Sequence, residues 1–152
     1  MKEKMCCFDG DRTAIKKEEI EKIRKVITEL AENGVRKFCF LQKSRMDSIA
    51  LSILEELKKT YTDISLGLIF PNVDISAMDL TVKPFSRYDF FLTDKISFET
   101  PKGRKIKKWN YYMVECSDYL ICHCISASGR AADTFRYAQS IKSVKIINTA
   151  EI

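Results

Sequence analysis

The residues best suited to chemistry form three small groups. Cys122, His123 and Cys124 stand in a row and are metal-ligating types. On a strand, however, Cys122 and Cys124 face one way and His123 the other. They cannot share one ion, and no CxxC pair supplies the rest of a zinc site. Buried cysteines and no metal are the expectation. His123 is the chain's only histidine, so no Ser-His-Asp or Cys-His arrangement can be assembled around a second one. Cys6 and Cys7 alternate on another apolar run and read as packing residues. Nothing near any cysteine argues for a lowered thiol pKa. The third group is a basic, aromatic segment, 102–112, holding Lys105, Lys107, Lys108, Trp109, Tyr111 and Tyr112.

Composition narrows the setting for these groups. The chain has 152 residues, 26 Lys+Arg against 21 Asp+Glu, and a net charge of +5. That length predicts a single domain, 1–152, with a real core. Nine Phe, six Tyr and 45% hydrophobic residues exclude general disorder. No apolar run approaches the roughly 20 residues that span a bilayer. The first residues lack the apolar stretch of a signal peptide, so a cytoplasmic protein with six reduced thiols is expected. The charge is local: residues 81–110 hold eight Lys/Arg and three acids, and the remainder balances. A nucleic-acid binder shows a broader excess.

The elements that must position these residues alternate. Short apolar runs begin near Met5, Val35, Ile64, Tyr119 and Val144. Between them lie amphipathic stretches, 15–30 with Ile20, Ile23, Ile27 and Leu30 inward, and 47–61, which Asp47 is placed to cap. Asn33-Gly34 stops the first. A helix is expected over 104–115 and another over 131–141. In between, 84–92 reads as a short helix and 95–98 as a short strand. Continuous apolar strands between amphipathic helices predict a parallel sheet covered on both faces. The fold class is therefore α/β, a Rossmann-like doubly wound sheet of five or more strands. Ligands of such sheets bind at the carboxyl ends of the strands. The loops 9–13, 41–47, 71–76 and 126–130 fall there.

Four segments carry a family resemblance. Cys6-Cys7-Phe8-Asp9-Gly10-Asp11-Arg12 resembles CCFTGHR. Residues 38–47, FCFLQKSRMD, stand in the place of a pattern like FISGGARGFD. Residues 109–118, WNYYMVECSD, resemble RNxYMVDxSD. Residues 128–138, SGRAADTFRYA, resemble SGGTxxTxRYA. In this order they resemble the YpsA-like branch of the SLOG superfamily, related to the LOG phosphoribohydrolases and the Smf proteins. The resemblance implies a Rossmann-like domain with a nucleotide site in its Gly-rich loops.

Those loops are degenerate here. Leu41, Gln42 and Arg45 replace glycines whose bare backbone would approach a phosphate. Asp11 replaces a histidine, and Arg130 a second glycine. Matching positions are Gly10, Arg12, Asp47, Asn110, Gly129, Thr134 and Tyr137. The LOG enzymes use an arginine and a glutamate near the last loop. No Glu stands beside Gly129, and Asp133 is the nearest acid downstream. Two expectations follow. The first is a non-catalytic regulatory protein acting through a protein partner, for example a phage-type inhibitor of a host complex. Lys105, Lys107, Lys108, Tyr111 and Tyr112 would form its surface, which would also suit a nucleic-acid backbone or a second copy in a homodimer. The alternative is a nucleotide-derived anionic ligand in a remodelled pocket. Gly10, Arg12, Gln42, Arg45, Asp47, Asn110, Gly129 and Arg130 would cluster around it, with Lys43 a further cation. Hydrolysis of a nucleoside monophosphate ranks below both, and no cofactor is expected.

Overall fold

A computed structural model describes residues 3–41, 44–69, 85–92 and 108–152. Six strands lie among the described residues: β1 (Met5–Gly10), β2 (Lys37–Phe40), β3 (Ser65–Ile69), β4 (Phe90–Leu92), β5 (Tyr119–His123) and β6 (Lys145–Asn148). Four α-helices accompany them there: α1 (Lys17–Glu32), α2 (Arg45–Leu57), α3 (Trp109–Glu115) and α4 (Arg130–Ser140). The sheet order is β4-β3-β2-β1-β5-β6, and every neighbouring pair is parallel. The chain starts at β1, winds outward through β4, then crosses back to lay β5 and β6 on the other side. This is the doubly wound, Rossmann-like α/β fold that the alternation predicts.

The strands are apolar on both sides because both sides are covered. Cys6 and Phe8 of β1, with Phe38 and Phe40 of β2, pack against Ile23, Ile27, Leu51 and Leu54 of α1 and α2. Phe8 lies parallel to Phe40 at 4.9 Å between ring centroids and to Phe38 at 6.2 Å. Cys7, Cys39 and Cys122 belong to the opposite core, with Met113 and Val114 of α3 and Ala138 of α4. His123 turns the other way, and its Nε2 lies 3.0 Å from Glu19 of α1. Cys122 and His123 thus face opposite sides, as strand geometry requires.

Three elements depart from the sequence reading. Ser44, not Asp47, caps α2: its Oγ accepts the Asp47 N–H at 3.1 Å. Asp47 falls inside the first turn and is buried. Over 84–92 there is no α-helix but a 3₁₀ turn (Phe85–Arg87) followed by β4. Asp89 explains the switch. Its N–H donates to the Leu66 carbonyl at 2.7 Å, and its carboxylate accepts the Leu66 N–H at 2.8 Å. This docks the segment on β3. Gly67 lets the pair close, since a Cβ there would meet the Phe90 ring at 2.2 Å. Finally, α3 begins at Trp109. Lys108 is extended (φ −131°, ψ 141°), so no helix runs through it from 104. The strand expected at 95–98 lies outside the described residues.

Phe8 is fully buried between two phenyl rings, so truncation leaves a void at the centre of the larger core. Phe8→Ala should lower the unfolding free energy by about 3–5 kcal/mol in urea titrations. A loss under about 1 kcal/mol would mean that the two phenylalanines of β2 close the gap.

Candidate functional site

Strand order reverses beside β1, since β2 lies on one side of it and β5 on the other. A cavity of about 770 Å³ opens there, off the carboxyl ends of β1 and β5. Its walls are Gly10 at the end of β1, Asp11, Arg12 and Thr13 after it, Ser44 and Arg45 at the start of α2, Ser126 and Ser128 in the loop after β5, and Gly129, Arg130 and Ala131 at the start of α4. This is where doubly wound sheets bind ligands.

Two glycines shape the walls. A Cβ at Gly10 would stand 2.6 Å from the Met46 Cβ, so only glycine lets β1 end against α2. Gly129 takes φ +100° as it turns the chain into α4, a conformation that other residues rarely adopt. Ser44 and Arg45 at the start of α2, and Gly129, Arg130 and Ala131 at the start of α4, line the cavity, and helix N-termini favour anions.

Beneath the wall lies Asp9, only 1% exposed. Its carboxylate accepts the Gly10 N–H at 2.8 Å, the Thr134 hydroxyl at 2.7 Å and Arg130 Nη2 at 2.8 Å. Arg130 Nε faces it at 3.5 Å, so one edge of the guanidinium lies along the carboxylate. Burial alone would lower the Arg130 pKa, but the bond and charge of Asp9, with Asp47 behind, raise it. Arg130 therefore stays a cation at the cavity wall. Asn110 is buried on α3 and donates to Thr134 Oγ1 at 2.9 Å, which fixes the hydroxyl that serves Asp9.

Asp11 spans the cavity mouth. Its Oδ2 accepts the N–H groups of Ile125 and Ser126 at 2.6 and 2.7 Å, and its Oδ1 accepts that of Thr13 at 2.9 Å. Partial burial pushes its carboxyl up. The donors from Ser126, Ile125 and Thr13 outweigh this and bring it from the ordinary 3.8 to about 2. Arg12 and Arg45 are exposed and line the same cavity.

Of the residues expected at the site, Gly10, Arg12, Arg45, Gly129 and Arg130 line the cavity together. Asp47 and Asn110 are buried and support the wall rather than form it. Gln42 and Lys43 lie outside the described residues, as does loop 71–76. Sequence reasoning passed over Asp9 and Ser44. Both carried a signal: an acid closing an apolar strand at the ligand-binding edge, and a Ser three residues before an acid at a helix start.

Tyr111, Lys108 and Tyr112 are drawn into the fold. Asp133 on α4 accepts Lys108 Nζ at 3.0 Å and the Tyr111 hydroxyl at 2.6 Å. Burial pushes the Asp133 carboxyl up, but the Tyr111, Lys108 and Asn110 bonds prevail and lower it. Tyr111 stacks on Tyr137 at 3.9 Å and 4°, and the Tyr137 hydroxyl donates to Glu115 at 2.7 Å. Tyr112 meets Trp109 edge-on at 5.4 Å. These contacts fasten α3 to α4. Lys105 and Lys107 lie outside the described residues.

The four buried strand cysteines, Cys6, Cys7, Cys39 and Cys122, have the opposite of thiolate character. Burial pushes Cys39 up to about 12 and raises Cys6, Cys7 and Cys122 as well. Among the described residues no group of three or more His, Cys, Asp or Glu is placed to hold a metal ion. None of the described helices is long and apolar enough to cross a membrane. No protein-family model and no curated protein matches the chain.

Asp11 should leave a mark on acid stability. A carboxyl lowered by folding contributes stability that is present above its unfolded pKa and lost as pH falls through the folded one. The window here runs from 3.8 down to about 2. Urea titrations across it should show a falling unfolding free energy, with a shallower fall in Asp11→Asn. Identical slopes would mean that these three N–H donors do not hold the carboxylate in solution.

Proposed function

We propose that the chain is a non-catalytic binding domain that takes an anionic, nucleotide-derived ligand at the switch-point cavity. One observation carries this reading: Arg12, Arg45 and Arg130 line a single cavity that the first residues of α2 and α4 border. Arginine forks suit phosphate oxygens. They offer side-chain cations where a glycine loop would offer backbone amides. The volume suits a ligand of nucleotide size. With the four motifs quoted above, the same site supports a place in the SLOG superfamily as a member with remodelled loops.

The site's acids argue against hydrolysis. A general acid or base works best with a pKa near the operating pH. Asp11 titrates near 2, and Asp9 is already engaged by Arg130, Thr134 and Gly10. Asp133 is held by Lys108 and Tyr111. None is poised to activate water at a glycosidic bond.

Action through a protein partner is the second reading. It is favoured by Ile125, 62% exposed on the loop between β5 and α4 that borders the cavity. An exposed isoleucine at a ligand site is well placed to let a partner sense occupancy.

Thermal unfolding with a panel of nucleotides and cyclic nucleotides tests the first reading. A ligand at a hundred times its Kd should add about 2.7 kcal/mol. The stabilisation should disappear in Arg12→Ala/Arg45→Ala, whose exposed side chains are dispensable for folding. No free base should be released from nucleoside monophosphates. A panel without any shift would remove the ligand reading and leave the partner reading.

A further inference from the structure

The cavity mouth carries an anion already. Two consecutive backbone N–H groups, of Ile125 and Ser126, converge on the single oxygen Asp11 Oδ2 at 2.6 and 2.7 Å. Adjacent amides aimed at one point form the kind of seat that backbone loops offer to phosphate oxygens. Here a carboxylate of the same chain occupies it. The second oxygen is held by the Thr13 N–H at 2.9 Å, so Asp11 bridges the loop after β1 to the loop after β5. The Asp11 N–H itself donates to the His123 carbonyl at 3.1 Å, which anchors the backbone on which the carboxylate is mounted.

Resting on the anion-binding reading, we propose that Asp11 is the specificity residue of this cavity, an internal anion that fills the Ile125–Ser126 amide pair and limits the ligand to one anionic group. That group sits on the arginine side, against Arg12 and Arg45. Arg130 offers less, because one edge of its guanidinium is spent on Asp9. A second anionic group would have to displace the Asp11 carboxylate from its amides or lie beside it. Both are unfavourable, since like charges in a partly desolvated site repel strongly. The remaining acceptor capacity of Asp11 instead favours a ligand that presents a hydroxyl or amino donor there.

Inorganic phosphate and pyrophosphate are the probes, titrated by calorimetry into the full chain as wild type, Asp11→Asn and Asp11→Ser. Asparagine keeps an oxygen for the loop amides and removes the charge. Serine shortens the side chain and bares the amide pair. The wild type should bind phosphate about tenfold or more tightly than pyrophosphate, and the ratio should fall or invert in both variants. In Asp11→Ser, pyrophosphate should also shift the amide resonances of Ile125 and Ser126. If the serine variant does not fold, the asparagine variant carries the comparison. Measurable binding with the same phosphate-to-pyrophosphate ratio in wild type and Asp11→Asn overturns this proposal and leaves the anion-binding reading standing. No binding of either probe by any of the three proteins overturns both.

Discussion

A carboxylate buried at the end of an apolar strand must be met by donors or it destabilises the fold. Asp9 is met by three, and each comes from an element that the cavity needs. Gly10 is the last residue of β1. Arg130 is the first residue of α4, and Thr134 lies one turn further along it. One buried charge thus fixes the start of α4 against β1, and with it the arginine that reaches the cavity. Removing Arg130 would leave Asp9 buried with its charge uncompensated, which costs far more than the pair contributes.

The support continues outward. Thr134 is held by Asn110 of α3, and the neighbouring Asp133 is held by Lys108 and Tyr111. The Tyr111–Tyr137 stack closes the same interface. A basic, aromatic segment of this kind suggests a binding face when read along the chain. Its described part also joins two helices on one side of the sheet, while Lys108 stays exposed. Lys108 and Asp133 neutralise each other near the surface, so their contribution is geometric more than energetic.

The cavity differs in kind from a glycine-loop phosphate site. A glycine loop binds through backbone amides that no side chain obstructs. In this chain one amide pair is already occupied by Asp11, and the cations come from arginine side chains. A ligand bound there as proposed would be selected through the placement of charge rather than through close backbone approach. It also joins the loops after β1 and β5 across the switch point, where a doubly wound sheet is otherwise open.

The alternation of apolar runs and amphipathic stretches was enough to define the parallel, two-faced sheet, because side-chain periodicity is a local property. It also pointed to the cavity, since ligands of such sheets meet the carboxyl ends of strands. Gly10, Arg12, Arg45, Gly129 and Arg130 were legible for that reason. Strand order was not legible, and the interactions that define the site depend on it. Asp9 and Arg130 are 121 positions apart, and Asp11 is 114 positions from Ile125. They meet only because β5 crosses back to lie beside β1. The same holds for β4, which local pattern reads as helix and which Asp89 recruits to β3 through a backbone contact. Likewise Ser44 took the cap from Asp47 because burial drew Asp47 inward. Periodicity determines which face of an element is apolar; the tertiary structure decides which distant polar group waits at its end.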